Sequence, residues 1–223
     1  MKVLIIIPAY NEQDNIVNTI HDISSTLETC DYLVINDCST DNTATILDEN
    51  HFNHIDLPVN LGLSGAVQAG YKYAYINGYD CAVQFDGDGQ HEAKFIPEMI
   101  EKIENGADIV IGSRFLNKKK DLSLRMIGSR ILTFLIKVKT HKTITDPTSG
   151  MRMLNRKMLF DYAYTMNRDP EPDTLVLQFR HNAKIEEIQV SMKPRLSGAS
   201  MYNQLWPSAK YMISMILSII FLA

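Results

Sequence analysis

Three cysteines in 223 residues are too few, and wrongly spaced, for a covalent or metal-stapled fold. Cys30, Cys38 and Cys81 are odd in number and contain no C-x-x-C, so neither a disulfide framework nor a zinc site is indicated, and a reducing cytosol suits them. A basic excess is missing too. The formal net charge is −4 with 22% charged residues, which argues against nucleic acid as a partner. Any anionic ligand must be held by local basic residues. Long apolar runs are scarce. The opening run, Val3 to Ile7, stops at Pro8; it is too short for a secretory signal and reads as a buried first strand. At the other end, Tyr211 to Ala223 carries no charge, yet its thirteen residues would cover about 20 Å as a helix, short of the ~30 Å hydrocarbon core. Two readings of the 206–223 segment stay open: docking at a membrane or partner, or a longer hydrophobic segment cut short.

What is present is alternation. An apolar fraction of 45% supports one core in a single domain or a domain with an appendage. Short apolar runs bounded by polar turns predict strands at Val3–Ile7, Tyr32–Asn36, His54–Leu57, Cys81–Phe85 and Asp108–Gly112. Between them, helices are expected at about Gln13–Leu27, Asp41–Glu49, Ser64–Asn77 and Lys94–Asn105, with Asp41 and Asn42 as helix-start residues. This order implies an α/β fold: a mostly parallel central sheet with helices on both faces and ligands beyond the carboxyl ends of its strands. No repeat or low-complexity tract interrupts it. After Gly112 the character changes. Lys118, Lys119 and Lys120 open a stretch, 118–139, in which Leu124, Ile127, Ile131, Leu135 and Val138 recur near helical spacing. Either an amphipathic helix in a membrane interface or a core helix behind a solvated lysine run fits; the apolar tail favours the membrane.

The polar signatures lie at predicted strand ends. In VQFDGDGQHE, Val83 to Glu92, Asp86 and Asp88 are two residues apart, so both carboxylates can face one ligand. Hard oxygen donors suit Mg²⁺ or Mn²⁺, with positions left for a diphosphate; a D-G-D-G turn capping a helix is the plainer alternative. Matching apparatus follows the other strands: PAYNE (Pro8 to Glu12), NDCSTDNT (Asn36 to Thr43) and NLGLSGAVQAG (Asn60 to Gly70). Asp37 is suited to accept from base or ribose, while Gly62 and Gly65 allow close approach at a helix start that favours anions. His51 and His54 form H-x-x-H without a third ligand, which indicates a structural role. His91 is expected to support a metal ligand rather than be one.

In this order the segments P-A-Y-N-E, N-D-C-S-T-D-N-T, N-x-G-x-x-G-A-x-x-x-G, F-D-G-D-G-Q-H, G-S-R and D-x-x-S-G-M-R resemble glycosyltransferase family 2. The resemblance, over roughly residues 3 to 200, is strongest to its polyprenyl-phosphate branch, the dolichyl-phosphate mannose synthase-like and bacterial undecaprenyl-phosphate sugar transferases. It implies a GT-A nucleotide-diphospho-sugar transferase fold over 1–205 followed by C-terminal membrane-associating helices, an inverting reaction, and Mg²⁺ or Mn²⁺ at Asp86, Asp88 and Gln90. Carried over by position, Pro8, Tyr10, Glu12, Asp37, Asn60, Gly62, Gly65, Asp86, Gly87 and Arg195 would bind the nucleotide-sugar. The chain departs from the family where Asn36-Asp37-Cys38-Ser39 replaces D-D-G-S, and where Met201 ends RLSGASM.

A lipid phosphate is already anionic near neutral pH and attacks without a strong base, so its site needs cations more than a base. Arg114, Arg130 and Arg152, with Ser149, are the candidates for the acceptor phosphate, and Arg195 for the donor diphosphate. Asp86, Asp88, Asp146 and Arg130 form the candidate catalytic set; Asp146 either orients the acceptor or an arginine, or merely opens a turn before Pro147. Glu171 and Asp173 are candidate sugar contacts, and Arg125, Arg156 and Arg180 read as surface ion pairs.

The expected activity is transfer from a UDP-hexose or UDP-N-acetylhexosamine to undecaprenyl phosphate, for cell-envelope glycan, at the cytoplasmic face of the cell membrane. Two alternatives stay open: a polysaccharide-extending transferase with a sugar-hydroxyl acceptor, and a catalytically silent nucleotide-binding partner of membrane proteins. A small membrane protein, or a second copy of the chain, is expected to share the burial of Tyr211–Ala223, with Ser214 and Ser218 on one helical face.

Overall fold

The computed structural model describes residues 1–27, 29–121, 123–165, 172–194 and 205–221. Seven strands, β1 (Val3–Ala9), β2 (Asp31–Asn36), β3 (His54–Asp56), β4 (Cys81–Gln84), β5 (Ile109–Ser113), β6 (Arg152–Asn155) and β7 (Ile185–Gln189), form one sheet in the order β3-β2-β1-β4-β6-β5-β7. All seven residues of β1 are buried, because both sheet faces are covered; a strand in that position reads as a continuous apolar run. Val3, Ile5 and Ile7 join one core with α1 (Ile16–Thr26) and α4 (Ile96–Glu104), whereas Leu4 and Ile6 join the other with α3 (Gly62–Ile76). The period of two along the strand thus divides the core into two layers. Helix α3 lies almost in contact with β1: a Cβ built on Gly70 would be 2.3 Å from Ile6 Cγ2. At α2 (Thr43–Glu49), the Asp41 carboxylate accepts from Thr43 N–H at 2.9 Å and its hydroxyl at 2.6 Å. Asn42, the other expected start residue, makes no side-chain cap.

Strands β6 and β7 were not evident in the sequence. β6 is antiparallel to both β4 and β5, pairing Ala82 with Leu154 and Val110 with Met153, while β7 runs parallel to β5. β6 has only four residues and passes directly into α6 (Arg156–Phe160), so no turn separates two periods. Its insertion has a consequence for the site: the segment entering β6 crosses the carboxyl ends of β4 and β5.

Beyond the sheet, α5 (Leu124–Thr140), α7 (Pro172–Arg180) and α8 (Leu205–Phe221) enclose a third core of Leu132, Ile136, Val176 and Ile219. The 118–139 stretch therefore corresponds to a helix that starts later, and of its predicted stripe Leu135 packs on this core while three others do not. Ile127, Ile131 and Val138 are exposed, with Phe134 64% exposed beside them. The buried face is Leu132 and Ile136 instead, because α5 is apolar on two sides. The C-terminal segment is likewise covered in part by its own chain. The predicted small-residue face divides: Ser214 is exposed, whereas the Ser218 hydroxyl donates to the buried Asp173 carboxylate. Among the described residues, no helix is long and apolar enough to cross a membrane.

Candidate active site

Asp86 follows β4 directly. Its N–H donates to His91 Nδ1 at 3.0 Å, which leaves the other ring nitrogen protonated, 3.7 Å from Asp86 Oδ2. His91 is 3% exposed and packs edge-on against Phe85, so it fixes the loop from inside, and Gln84 Nε2 donates to Asp86 Oδ1 at 2.9 Å. Asp88 Oδ1 accepts from Gln90 N–H at 3.0 Å, and Gln90 exchanges backbone and side-chain bonds with Lys193. Gly87 is needed for close approach: a Cβ there would lie 3.0 Å from the Pro8 carbonyl oxygen. A residue the sequence reading passed over sits opposite. A Cβ on Gly150 would be 3.0 Å from Asp86 Oδ2 and 3.1 Å from Gln84 Nε2, so the bare backbone of the β6 lead-in walls the carboxylate. The D-x-x-S-G-M-R segment contained Gly150, but only the antiparallel β6 brings it there.

The nucleotide-side residues gather at the ends of β1, β2 and the start of α3. Pro8 is buried and Tyr10 exposed. Glu12 Oε2 accepts from Asn15, and its N–H donates to Thr43 Oγ1. Asp37, 2% exposed, accepts from Leu61 N–H at 2.7 Å through Oδ1, which ties the second strand end to the head of α3. Asn60 Oδ1 accepts from Gly62 N–H at 3.0 Å, with Gly62 in the left-handed region, φ +75°. Gly65 is tight: a Cβ there would meet Leu61 Cβ at 2.5 Å.

On the β5 side, Arg114 and Asp146 form a two-point ion pair, Nε to Oδ2 at 2.7 Å and Nη2 to Oδ1 at 2.8 Å, and the Arg114 N–H adds a third bond at 3.1 Å. Asp146 is fully buried. Burial pushes its carboxyl up, but the Arg114 hydrogen bonds and charge, helped by Lys120, hold it below the ordinary range. Of its expected roles, this geometry supports orienting an arginine and opening a turn, since the Asp146 carbonyl also accepts from Ser149 N–H at 3.2 Å across Pro147 and Thr148. Glu187 of β7, which two consecutive glutamates did not distinguish, accepts from the N–H groups of Thr145 and Asp146 and the Thr145 hydroxyl. It secures the loop beneath Asp146.

The other acceptor candidates separate. Arg152 is 3% exposed; its Nε donates to the Ser149 carbonyl at 3.0 Å and Nη2 to the Pro147 carbonyl at 2.6 Å. Ser149 Oγ donates to the Gly112 carbonyl at 2.6 Å. Both shape the lead-in loop. Arg130 is exposed on α5, its Nη2 donating to the Lys120 carbonyl at 2.6 Å. Arg156 is no surface ion pair: it donates to the Tyr79 carbonyl and stacks on Tyr75. Asp173 is bound to Ser218 rather than displayed. Arg195 and Glu171 lie outside the described residues.

A mostly parallel α/β sheet interrupted by one antiparallel strand, with an aspartate pair at its carboxyl edge, is a GT-A-like arrangement. The chain aligns over its full length with glucosyl-3-phosphoglycerate synthase from Mycobacterium tuberculosis, solved with Mn²⁺, uridine diphosphate and phosphoglyceric acid. The TM-score is 0.73 with 17% identity, covering 100% of this chain and 79% of that one, which establishes the fold. The model of glycosyl transferase family 2 matches residues 4–162. The chain belongs to that family and is a glycosyltransferase. Among its relatives, the UDP-N-acetylglucosamine–dolichyl-phosphate N-acetylglucosaminyltransferase of Methanococcus voltae is 29% identical over 212 residues, 84% of each chain. The undecaprenyl-phosphate mannosyltransferase of Micrococcus luteus is 36% identical over 160 residues, 68% of this chain and 65% of that one; the chain spans just under two thirds of that relative's length.

Proposed function

We propose that the protein transfers a sugar, with inversion, from a nucleotide diphosphate donor to a polyprenyl phosphate, at the cytoplasmic face of the cell membrane. The observation that carries this reading is the shared sheet edge: the Asp86–Asp88 loop and the Arg114–Asp146 pair are joined by one continuous segment, residues 146–152. Names of relatives acting on dolichyl and undecaprenyl phosphates support the acceptor class. A phosphate oxygen of the acceptor attacks the anomeric carbon as the bond to the donor diphosphate breaks, and the bonding electrons leave with the diphosphate. Asp146 is a poor base, buried and bound through both oxygens to Arg114. That favours an acceptor already ionised over a sugar hydroxyl, which needs its proton removed.

Two carboxylates at a walled, partly exposed turn fit Mg²⁺ or Mn²⁺, which takes one or two protein carboxylates and completes its shell with phosphates. Asp86 and Asp88 would hold it, with Gln90 beside them, and when bound it neutralises charge on the departing diphosphate. Asp37, with Oδ1 on Leu61 N–H, would accept from the base or ribose through its second oxygen. Membrane docking is supported by the outer faces of α5 and α8, where Ile127, Ile131, Phe134, Val138, Ile213, Leu217 and Phe221 are exposed, as are Lys118, Lys119 and Lys137.

The test is incubation with undecaprenyl phosphate, Mn²⁺ and a panel of UDP- and GDP-sugars, reading lipid products by mass spectrometry. A glycosyl phospholipid is expected. Sugar addition only to saccharide hydroxyls, or no lipid product with any donor, overturns the reading.

A further inference from the structure

Three lysines stand in a row, and the fold treats them differently. Lys118 and Lys119 are exposed, whereas Lys120 is drawn in until its Nζ lies 2.7 Å from Ser129 Oγ and 3.3 Å from Thr133 Oγ1 of α5. Both partners are neutral hydroxyls, and no carboxylate pairs with this ammonium among the described residues. A lysine stem can bury its carbons while its head stays in water, so holding the head against two hydroxyls has a desolvation cost that solvent exposure would avoid.

The surroundings are those of an anion site. Arg114 and Lys120 flank one aromatic ring, their charges 5.3 and 5.4 Å from the centre of Phe115. Arg130 Nη2 is bound to the Lys120 carbonyl, which joins a third cation to the same segment. The nearby carboxylates are committed: both Asp146 oxygens to Arg114, and Glu187 to the Thr145 hydroxyl and the Thr145 and Asp146 N–H groups. An ammonium has three protons to donate, and the two hydroxyls account for two of them.

We infer that Lys120 is a third cation of the acceptor site, its ammonium oriented by Ser129 and Thr133 to bind the acceptor's phosphate beside Arg114 and Arg130. The inference rests on the polyprenyl-phosphate reading above. Burial lowers the Lys120 pKa, Arg114 and Arg130 push it the same way, and Asp146 and Glu187 oppose them. Acceptor affinity therefore falls as pH rises through this lowered value, where the ammonium deprotonates.

The experiment measures KM for undecaprenyl phosphate, affinity for free UDP, and thermal midpoint in the full chain and in Lys120→Met and Lys120→Arg. Lys120→Met is expected to raise the acceptor KM at least about tenfold, the equivalent of one charge-assisted bond, with UDP affinity unchanged. Lys120→Arg should keep a near-normal KM at neutral pH and remove the alkaline loss of acceptor affinity, which a purely structural lysine would not control. An unchanged KM in Lys120→Met, a parallel loss of UDP affinity, or an alkaline limb that persists in Lys120→Arg overturns the inference. Should Lys120→Met lower the thermal midpoint, the pH profile of Lys120→Arg decides alone. No lipid product from the unmodified protein is a different failure, that of the acceptor reading itself.

Discussion

A methyl group added at Gly150 would press on the Asp86 carboxylate and on the Gln84 amide bonded to it. The contact is 3.0 Å to Oδ2, and Gly150 is not among the residues with a left-handed backbone, so alanine is tolerable to the chain but not to the carboxylate. Gly150→Ala is expected to weaken Mn²⁺ binding about tenfold, roughly 1.4 kcal/mol, with an unchanged thermal midpoint. Manganese EPR titration checks this, and wild-type affinity would mean that Gly150 has no part in shaping the site. Cys38 presents the opposite case. It sits at φ +57°, where the D-D-G-S pattern has glycine, and an L-residue there costs about 1–2 kcal/mol. Part of that is offset because glycine loses more chain entropy on folding. Cys38→Gly should therefore raise stability by up to about 1 kcal/mol, and Cys38→Val should lower it; a lower melting temperature for the glycine variant would contradict the strain argument. At Arg114, truncation leaves Asp146 buried without its cation, a loss of about 3–5 kcal/mol. The folded pKa of Asp146 is depressed, so the pair's stabilisation is present above the unfolded value of about 3.9 and is lost as pH falls through the folded value. In Arg114→Met burial is opposed by the residue-114 backbone N–H and the Lys120 charge without the guanidinium, and acid unfolding followed by circular dichroism should begin at higher pH than in the wild type.

Helix α5 shows how one element can meet two demands. Leu132 and Ile136 are fully buried against α7 and α8, while Ile131 and Phe134 are 41% and 64% exposed. Substituting the two faces should separate stability from docking. Leu132→Ala opens a cavity and is expected to cost about 2–5 kcal/mol. Ile131→Glu with Phe134→Glu should change stability little, about 0.5 kcal/mol each, yet reduce sedimentation with anionic vesicles more than tenfold. Equal vesicle binding by that double variant would exclude α5 as the docking face. The basic residues alone cannot substitute, since interfacial binding needs buried apolar area as well as charge.

At the scale of the molecule, α8 belongs to the fold as well as to any surface it docks on. Its Ile219 is fully buried, Met212 and Ile216 pack on the same cluster, and Lys139 Nζ donates to the Ile220 carbonyl at 2.8 Å. Deleting Tyr211–Ala223 therefore uncovers Leu132, Ile136 and Val176, each worth about 1.5–3 kcal/mol of apolar burial at most. The expected result is a lower thermal midpoint and aggregation even without membranes. A truncated protein of unchanged midpoint would show the helix to be an appendage only.

The first half of the chain was legible because its physics is local. Strands β1, β2, β4 and β5 are short apolar runs between polar turns, each helix begins near a polar residue such as Asp41, and the strand-end positions of Asp37, Asp86 and Asp88 follow from that alternation alone. Their placement could therefore be read in advance, as could the family, whose model covers residues 4–162. What only the tertiary structure decided depends on pairing between distant segments. Antiparallel β6 is too short and too close to α6 to announce itself, yet it carries Gly150 to Asp86 and Asp146 to Arg114. The same holds for the arginines, which share one charge and one composition signal. Arg152 is folded onto the carbonyls of Pro147 and Ser149 while Arg130 stays exposed, because a guanidinium goes where unsatisfied acceptors happen to converge, and that convergence is set by the backbone around it rather than by its neighbours in sequence.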